Sequence, residues 1–234
     1  MNKETDSSKI SKSLDDFNEF LSTIDLESNR ERFRKYKSVE EDLPREIQIL
    51  GNIYKTYWSE PNFLSYDQFI HTVINDIESK LRAYNRKRNG DDPDSEDAYP
   101  LFLKGWIARQ YRTWTSILTQ IQLGYVAKTK FPNNEVTMSE ELDIKGIDLR
   151  IVDYNDFGVK KVTKRTDIKI SGQEKEGVIP IKYCVPSSFV LQNPKTKKGT
   201  YRKPYMEFKS DKRLDYLPNG FIIFTDKVFD EIGK

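Results

Sequence analysis

The run GIDLRIVD, residues 146–153, is where the chain changes its period. Upstream of Pro132, apolar residues recur every three or four positions, the interval of a helix. Here they alternate. Ile147, Leu149 and Ile151 fall on one face of an extended segment, and Asp148 and Arg150 fall on the other. Downstream, GVKKVTKRTDIKIS, VIPIKYCV, RKPYMEFKS and GFIIFTD read as further strands. The turn signals YNDFG, SGQEKEG, NPKTKKG and LPNG separate them. Helices first and strands after predict an α/β fold with an α+β-like order, a central mixed sheet flanked by helices.

Working back from that point, GWIARQYRTWTSILTQIQLGYVAK carries the clearest helical stripe. Ile107, Tyr111, Trp114, Leu118, Ile121 and Tyr125 step by four, three, four, three and four. Trp114 and Tyr111 read as core. No acid occurs between Asp97 and Glu135, which puts this helix near a polyanion or deep in the core. Ser65 and Gln68 form a capping box ahead of Phe69, Ile70, Val73, Ile74, Ile77 and Leu81. Ser13 caps a first helix, with Leu14, Phe17, Leu21 and Ile24 on one face. Residues 28–46 read as short helical pieces and loop, and YNRKRNGDDPDSEDAYP as a flexible polar loop. The expected organisation is a polar tail, 1–12, then a single domain, 13–234. Residues 13–130 form its mainly helical part and 131–234 its sheet-rich part.

Composition narrows the chemistry. At 234 residues the chain can bury a core without staples. No apolar run reaches the roughly 20 residues of a membrane span, and the N-terminus has no apolar leader. Cys184 is the only cysteine, which fits a reducing cytoplasm. With one His and one Cys, a zinc site of several such ligands cannot be made within one chain. His71 reads as a surface residue. Acid–base work falls to carboxylates, Lys, Tyr or a metal-activated water. Net charge is only +2, but residues 158–213 hold 15 Lys/Arg against 5 Asp/Glu. Such a basic segment points to a polyanionic partner.

Within the strands, KRTDIKISG sets Asp167 and Lys169 on one face and Ile168 and Ile170 on the other. Asp148 lies on the strand before. If the two strands are neighbours, Asp148 and Asp167 come within reach of one cation, which relieves their repulsion. Lys169 then stands beside the activated water and a phosphate under attack. Acid-x-Lys occurs four times, at Glu78/Lys80, Asp143/Lys145, Asp167/Lys169 and Glu207/Lys209. Only Asp167/Lys169 follows a strand with its own inward acid. Glu207/Lys209, partnered by Glu174 or Glu176, is the runner-up, and an exposed-edge salt bridge is the plain alternative for Asp167/Lys169.

The layout resembles the PD-(D/E)xK nuclease superfamily, although Ile147 stands where the motif has Pro. Longer blocks are similar to the TaqI-like type II restriction endonucleases. These are FNEFLSTIDLES, YKSVEEDLPRE, YRTWTSILTQIQLGY, GIDLRIVD and TDIKI, most specifically DLPRE and the residues around Tyr111–Ile121. The resemblance runs from about Leu14 to Ile170. It implies a restriction-endonuclease-like core in a Mg²⁺-dependent homodimer that cuts duplex DNA at the palindrome TCGA. Asp148 carries over as a metal ligand and Lys169 as the catalytic lysine. Asp167 falls at the variable acidic position, and the Ile168 carbonyl is a further metal ligand. The logic of restriction adds a cognate DNA methyltransferase as functional partner, in a bacterial or archaeal cytoplasm.

The segment NPKTKKGTYRKPYMEFKSDKR interleaves cations with Tyr201, Tyr205 and Phe208. Lys195, Lys197, Lys198, Arg202, Lys203 and Lys209 are candidate phosphate contacts. Arg202 or Lys203 could read guanine, and Gln192 and Asn193 adenine. Two readings compete with a restriction enzyme: a non-catalytic nucleic-acid-binding protein, and a structure-selective nuclease.

Overall fold

The computed structural model describes residues 12–36, 43–89, 95–161 and 176–230. Ser13 opens α1 (Leu14–Ser22) with a capping box: its hydroxyl accepts the Asp16 N–H, and the Asp16 carboxylate accepts the Ser13 N–H at 2.8 Å. Asp25 caps α2 (Leu26–Arg34) through the Ser28 N–H. A short α3 (Leu50–Tyr54) runs into one wider turn, Lys55–Ser59, that buries Tyr57 and Trp58. The Ser65–Gln68 capping box opens α4 (Tyr66–Asn89) as expected.

Helix α5 (Ser95–Lys130) is the axis of the molecule. Its predicted stripe is inside: Tyr111, Trp114, Leu118, Ile121 and Tyr125 are buried and Ile107 is half-buried. The aromatic rings of other helices close on it. Phe17 of α1 stacks on Tyr125 at 4.8 Å, and Tyr66 of α4 meets Trp114 at 5.2 Å. His71 is exposed beside Asn75.

The polar stretch expected as a loop is largely helix. α4 continues to Asn89, α5 begins at Ser95, and Pro100 lies inside α5. Lys and Arg are good helix formers, and Arg86, Lys87 and Arg88 offset the dipole at the end of α4.

After α5 come β1 (Val136–Thr137), α6 (Glu140–Ile144), β2 (Leu149–Ile151), β3 (Asn155–Lys161) and β4 (Val178–Tyr183). The sheet order is β1-β2-β3-β4, with β1, β2 and β3 antiparallel in turn and β4 parallel to β3. This is the expected mixed sheet behind a helical half. Leu149, Ile151 and Phe157 bury its inner face. The YNDFG turn falls earlier than the sequence suggests. Ile151 pairs with Asn155, so residues 152–154 make the turn with Asp153 at φ 60°.

α7 (Ser188–Gln192) and α8 (Lys203–Ser210) follow, then the hairpin β5 (Leu214–Tyr216) and β6 (Ile222–Phe224). RKPYMEFKS, expected as a strand, is α8. Pro204 sits at the first turn, where its fixed φ suits a helix and its missing N–H costs nothing. Of α8 only Phe208 is buried, so no alternating face exists for a sheet to bury. The NPKTKKG and LPNG turns form as read, with Gly199 and Gly220 at positive φ.

Candidate active site

Two capping motifs fix the geometry around Asp148. The Ser139 hydroxyl accepts the Leu142 N–H and starts α6, whose first turn carries Glu140 and Glu141 near the positive helix end. Gly146, at φ 73°, stops it. The Gly146 N–H donates to the Asp143 carbonyl at 2.7 Å and the Ile147 N–H to the Leu142 carbonyl at 2.9 Å, a Schellman closure. The turn is so tight that Asp143 on the last turn of α6 and Asp148 at the head of β2 converge, their carboxyls within hydrogen-bond reach of each other.

β3 then holds Asp148 from the side. The Asp148 N–H donates to the Phe157 carbonyl at 2.9 Å, and Asp148 Oδ2 accepts the Val159 N–H at 2.6 Å. Gly158 lies between these anchors. A Cβ there would stand 3.3 Å from the Gly146 carbonyl oxygen and 3.9 Å from Asp148 Oδ2, so glycine keeps β3 close to the turn. Arg150, on the same face two residues on, is taken up by Asp156 across the hairpin, at 2.6 and 2.7 Å.

Behind the pair stands Tyr54 of α3. Its hydroxyl is 3.1 Å from Asp143 Oδ2 and 3.2 Å from Gln120 Oε1 of α5. A phenol donates one proton. With the Gln120 amide turned over, Gln120 donates to Tyr54 and Tyr54 donates to Asp143, a chain that satisfies all three groups.

Burial dominates the electrostatics. It pushes the Asp148 carboxyl up to about 7; the Val159 N–H pulls it down, and the charge of Asp143 pushes it further up. Asp143 is raised as well, by burial first, while hydrogen bonds from Asp148 and Tyr54 work against the rise. Burial, then Asp143 and Asp148, raises the Tyr54 hydroxyl far above its ordinary value, so it stays a donor. The Tyr183 hydroxyl on β4 is pushed up to about 12, by burial and then by Asp148. Two half-buried, adjacent carboxyls that both resist ionisation are what a hard divalent cation would separate and ionise. The donor set therefore fits Mg²⁺. Among the described residues no third His, Cys, Asp or Glu joins them.

Asp167, Ile168 and Lys169 lie outside the described residues. So does any pairing of their strand with that of Asp148. The described partner of β2 is Asn155–Lys161. The runner-up Glu207 and Lys209 sit on helix α8, where Lys203 approaches Glu207 at 3.9 Å, and share no strand face. Asp143 is the residue that alternation could not find. Its signal was a capped stub of helix, Ser139 to Gly146, with an acid on each side of the stop.

The candidate DNA-contacting residues run from the end of α7 to the end of α8. Lys195 and Tyr201 bridge the bases of a turn that carries Lys197 and Lys198, and the Lys195 ammonium lies 5.1 Å from the Tyr201 ring. Arg202 donates to the Asn193 carbonyl at 2.9 Å. Lys203 and Lys209 project from α8, and Lys209 lies over Tyr216 at 5.4 Å. Gln192 instead reaches the Glu27 carboxylate at 3.4 Å.

The model of the TaqI restriction endonuclease family matches residues 14–234. The match continues through the basic C-terminal third, which the sequence resemblance had left uncovered. The type II restriction enzyme TaqI of Thermus aquaticus is 30% identical over 241 aligned residues, covering 97% of this chain and 89% of that enzyme. The type II restriction enzyme TthHB8I of Thermus thermophilus is 30% identical over 234, covering 94% and 87%. No solved structure gives a significant match.

Proposed function

The chain belongs to the TaqI restriction endonuclease family, and from that premise we propose that it hydrolyses duplex DNA at TCGA with Mg²⁺ held by Asp143 and Asp148. Family membership makes it a restriction endonuclease, a DNA hydrolase. The observation that carries the finer reading is the convergence of two half-buried carboxyls across the Gly146 turn. A bound Mg²⁺ would supply a positive charge that ionises both carboxylates, polarises the scissile phosphate and acidifies a water.

The chain's own residues do the rest. The Val159 N–H fixes Asp148, and Tyr54, backed by Gln120, fixes Asp143. Asp167 and the Ile168 carbonyl complete the oxygen donors, and Lys169 stabilises charge on the phosphate. Lys195, Lys197, Lys198, Arg202, Lys203 and Lys209 hold the DNA backbone, with Asn193 near base edges, while Gln192 is turned to Glu27. A palindromic site calls for a two-fold protein, hence a homodimer. A cognate methyltransferase protects the host sequence. No helix of the described residues is long and apolar enough to cross a membrane, in keeping with a cytoplasmic enzyme.

The test is digestion of a long, sequenced, unmethylated duplex with Mg²⁺ and with EDTA, followed by mapping of the ends. Discrete Mg²⁺-dependent ends at TCGA are expected. Ends elsewhere would remove the specificity and keep the nuclease. Binding without cleavage under any divalent cation would return the protein to a non-catalytic reading.

A further inference from the structure

One cleft belongs to neither the carboxylate pair nor the basic C-terminal segment. It has a volume of about 520 Å³ and opens between α2, α5 and the β5–β6 hairpin. Arg30 and Arg34 of α2 and Arg112 of α5 line it, and among the described residues no acid does; Glu31, outside the lining, pairs with Arg34 at 3.0 Å, and the charge of Asp25 reaches the Tyr111 hydroxyl. Phe33, Tyr111 and Phe221 give it an apolar floor. The Tyr111 hydroxyl at its back is buried without a hydrogen-bond partner among the described residues. Asn29 is near enough to act on its ionisation but falls outside hydrogen-bond geometry.

The cleft also abuts the candidate active site. Thr119 lines it, and the next residue of α5, Gln120, reaches Tyr54 and so Asp143. Tyr183 of β4 lines it too, from the strand paired with β3, where Val159 holds Asp148. Thr115 and Thr119 have their hydroxyl protons committed to α5 carbonyls, so of the Ser and Thr side chains that line the cleft Ser116 is the one left to donate outward. The α5 residues that line it, Ala108 to Thr119, fall within the acid-free stretch from 98 to 134.

We propose that this cleft holds the sugar–phosphate backbone of the DNA strand next to the Asp143–Asp148 pair, its phosphates on Arg112, Arg34 and Arg30. The proposal rests on the endonuclease reading above. Charge complementarity selects the occupant: three guanidiniums and a hydroxyl donor suit a polyanion, with Arg34 exchanging its exposed partner Glu31 for phosphate, and the apolar floor suits the faces of the sugars. A small free anion would leave that floor uncovered.

The test is duplex binding in EDTA over a series of salt concentrations, with unfolding midpoints of each variant measured alongside. Each lost phosphate contact lowers the slope of log affinity against log salt by about 0.9. Arg112→Ala should lower it by about that amount and weaken low-salt binding about ten-fold. Arg34→Ala with Arg112→Ala should lower it by about twice as much. Arg112→Lys should restore most of the slope, because the charge remains. Arg86→Ala, exposed on α4 and away from the cleft, should leave it unchanged. A double variant with the wild-type slope and affinity would overturn the cleft alone. Failure of the wild-type protein to bind any duplex would overturn the endonuclease reading and the cleft with it.

Discussion

Asp148 sits in an environment that its place in an alternating strand does not suggest, and its titration is where that can be measured. Its folded pKa is about 7, against 3.8 for the ordinary carboxyl, with burial as the first cause. In the metal-free protein the folded state therefore keeps a proton that the unfolded chain gives up between those values. The resulting stability is complete below about pH 4 and is lost as pH rises through 7. Asp143 shifts in the same direction and adds to the effect. We expect the unfolding midpoint in EDTA to fall between pH 5 and 8, and to fall less in Asp148→Asn. Mg²⁺ should recover the loss at pH 8 more than at pH 5, since it binds the ionised pair. A flat profile in both proteins would remove the picture of two carboxyls that resist ionisation. Tyr54→Phe tests the support behind Asp143. It should weaken Mg²⁺ binding by roughly 10–100-fold, read as the Mg²⁺ concentration that restores the midpoint at pH 8. DNA binding in EDTA should be untouched, because Tyr54 is buried behind the carboxylates.

Among the elements, the short α6 and its glycine stop set the active-site geometry. A β-branched residue at φ 73° is strained, so Gly146→Val should cost on the order of 1–3 kcal/mol in denaturant unfolding. It should also lose cleavage out of proportion to that cost, because Asp143 and Asp148 no longer converge. Retained cleavage at wild-type rate would show that the turn does not set the pair. The same elements explain what could be read in advance. The α5 stripe and the Ser13 and Ser65 boxes were legible because they are local patterns with one physical meaning. Asp148 was legible because alternation set it opposite Leu149 and Ile151. Asp143 was not, since its partner is made by a backbone turn rather than by periodicity. α8 was misread because its charged and aromatic residues alternate in sequence while its backbone obeys Pro204. The polar stretch was misread at its two described ends, 84–89 and 95–100, where helix propensity outweighed polarity and Pro100 sits inside α5.

Across the whole molecule, α5 ties the helical half to the sheet half. Gln122, fully buried, donates to the Phe224 carbonyl at 3.1 Å and accepts the Phe224 N–H at 2.8 Å, so one side chain stands in for a strand edge. Asn219 of the β5–β6 turn donates to the Leu21 and Ile24 carbonyls at the end of α1, at 2.7 and 2.9 Å. Elements about a hundred and two hundred residues apart thus complete each other's backbone hydrogen bonds, so we expect the described helical and sheet halves to unfold together. The chain supplies its own probes. All three tryptophans, Trp58, Trp106 and Trp114, report on the helical half, and the lone Cys184 reports on the sheet half. Tryptophan fluorescence and Cys184 labelling should give coincident unfolding curves in urea. Gln122→Leu removes both bonds and leaves the Phe224 N–H and carbonyl buried and unpaired, at a cost of about 1–3 kcal/mol for each group. It should shift both curves together. If the Cys184 curve moved to lower urea while fluorescence stayed in place, the sheet half would be a separate domain and α5 merely its neighbour.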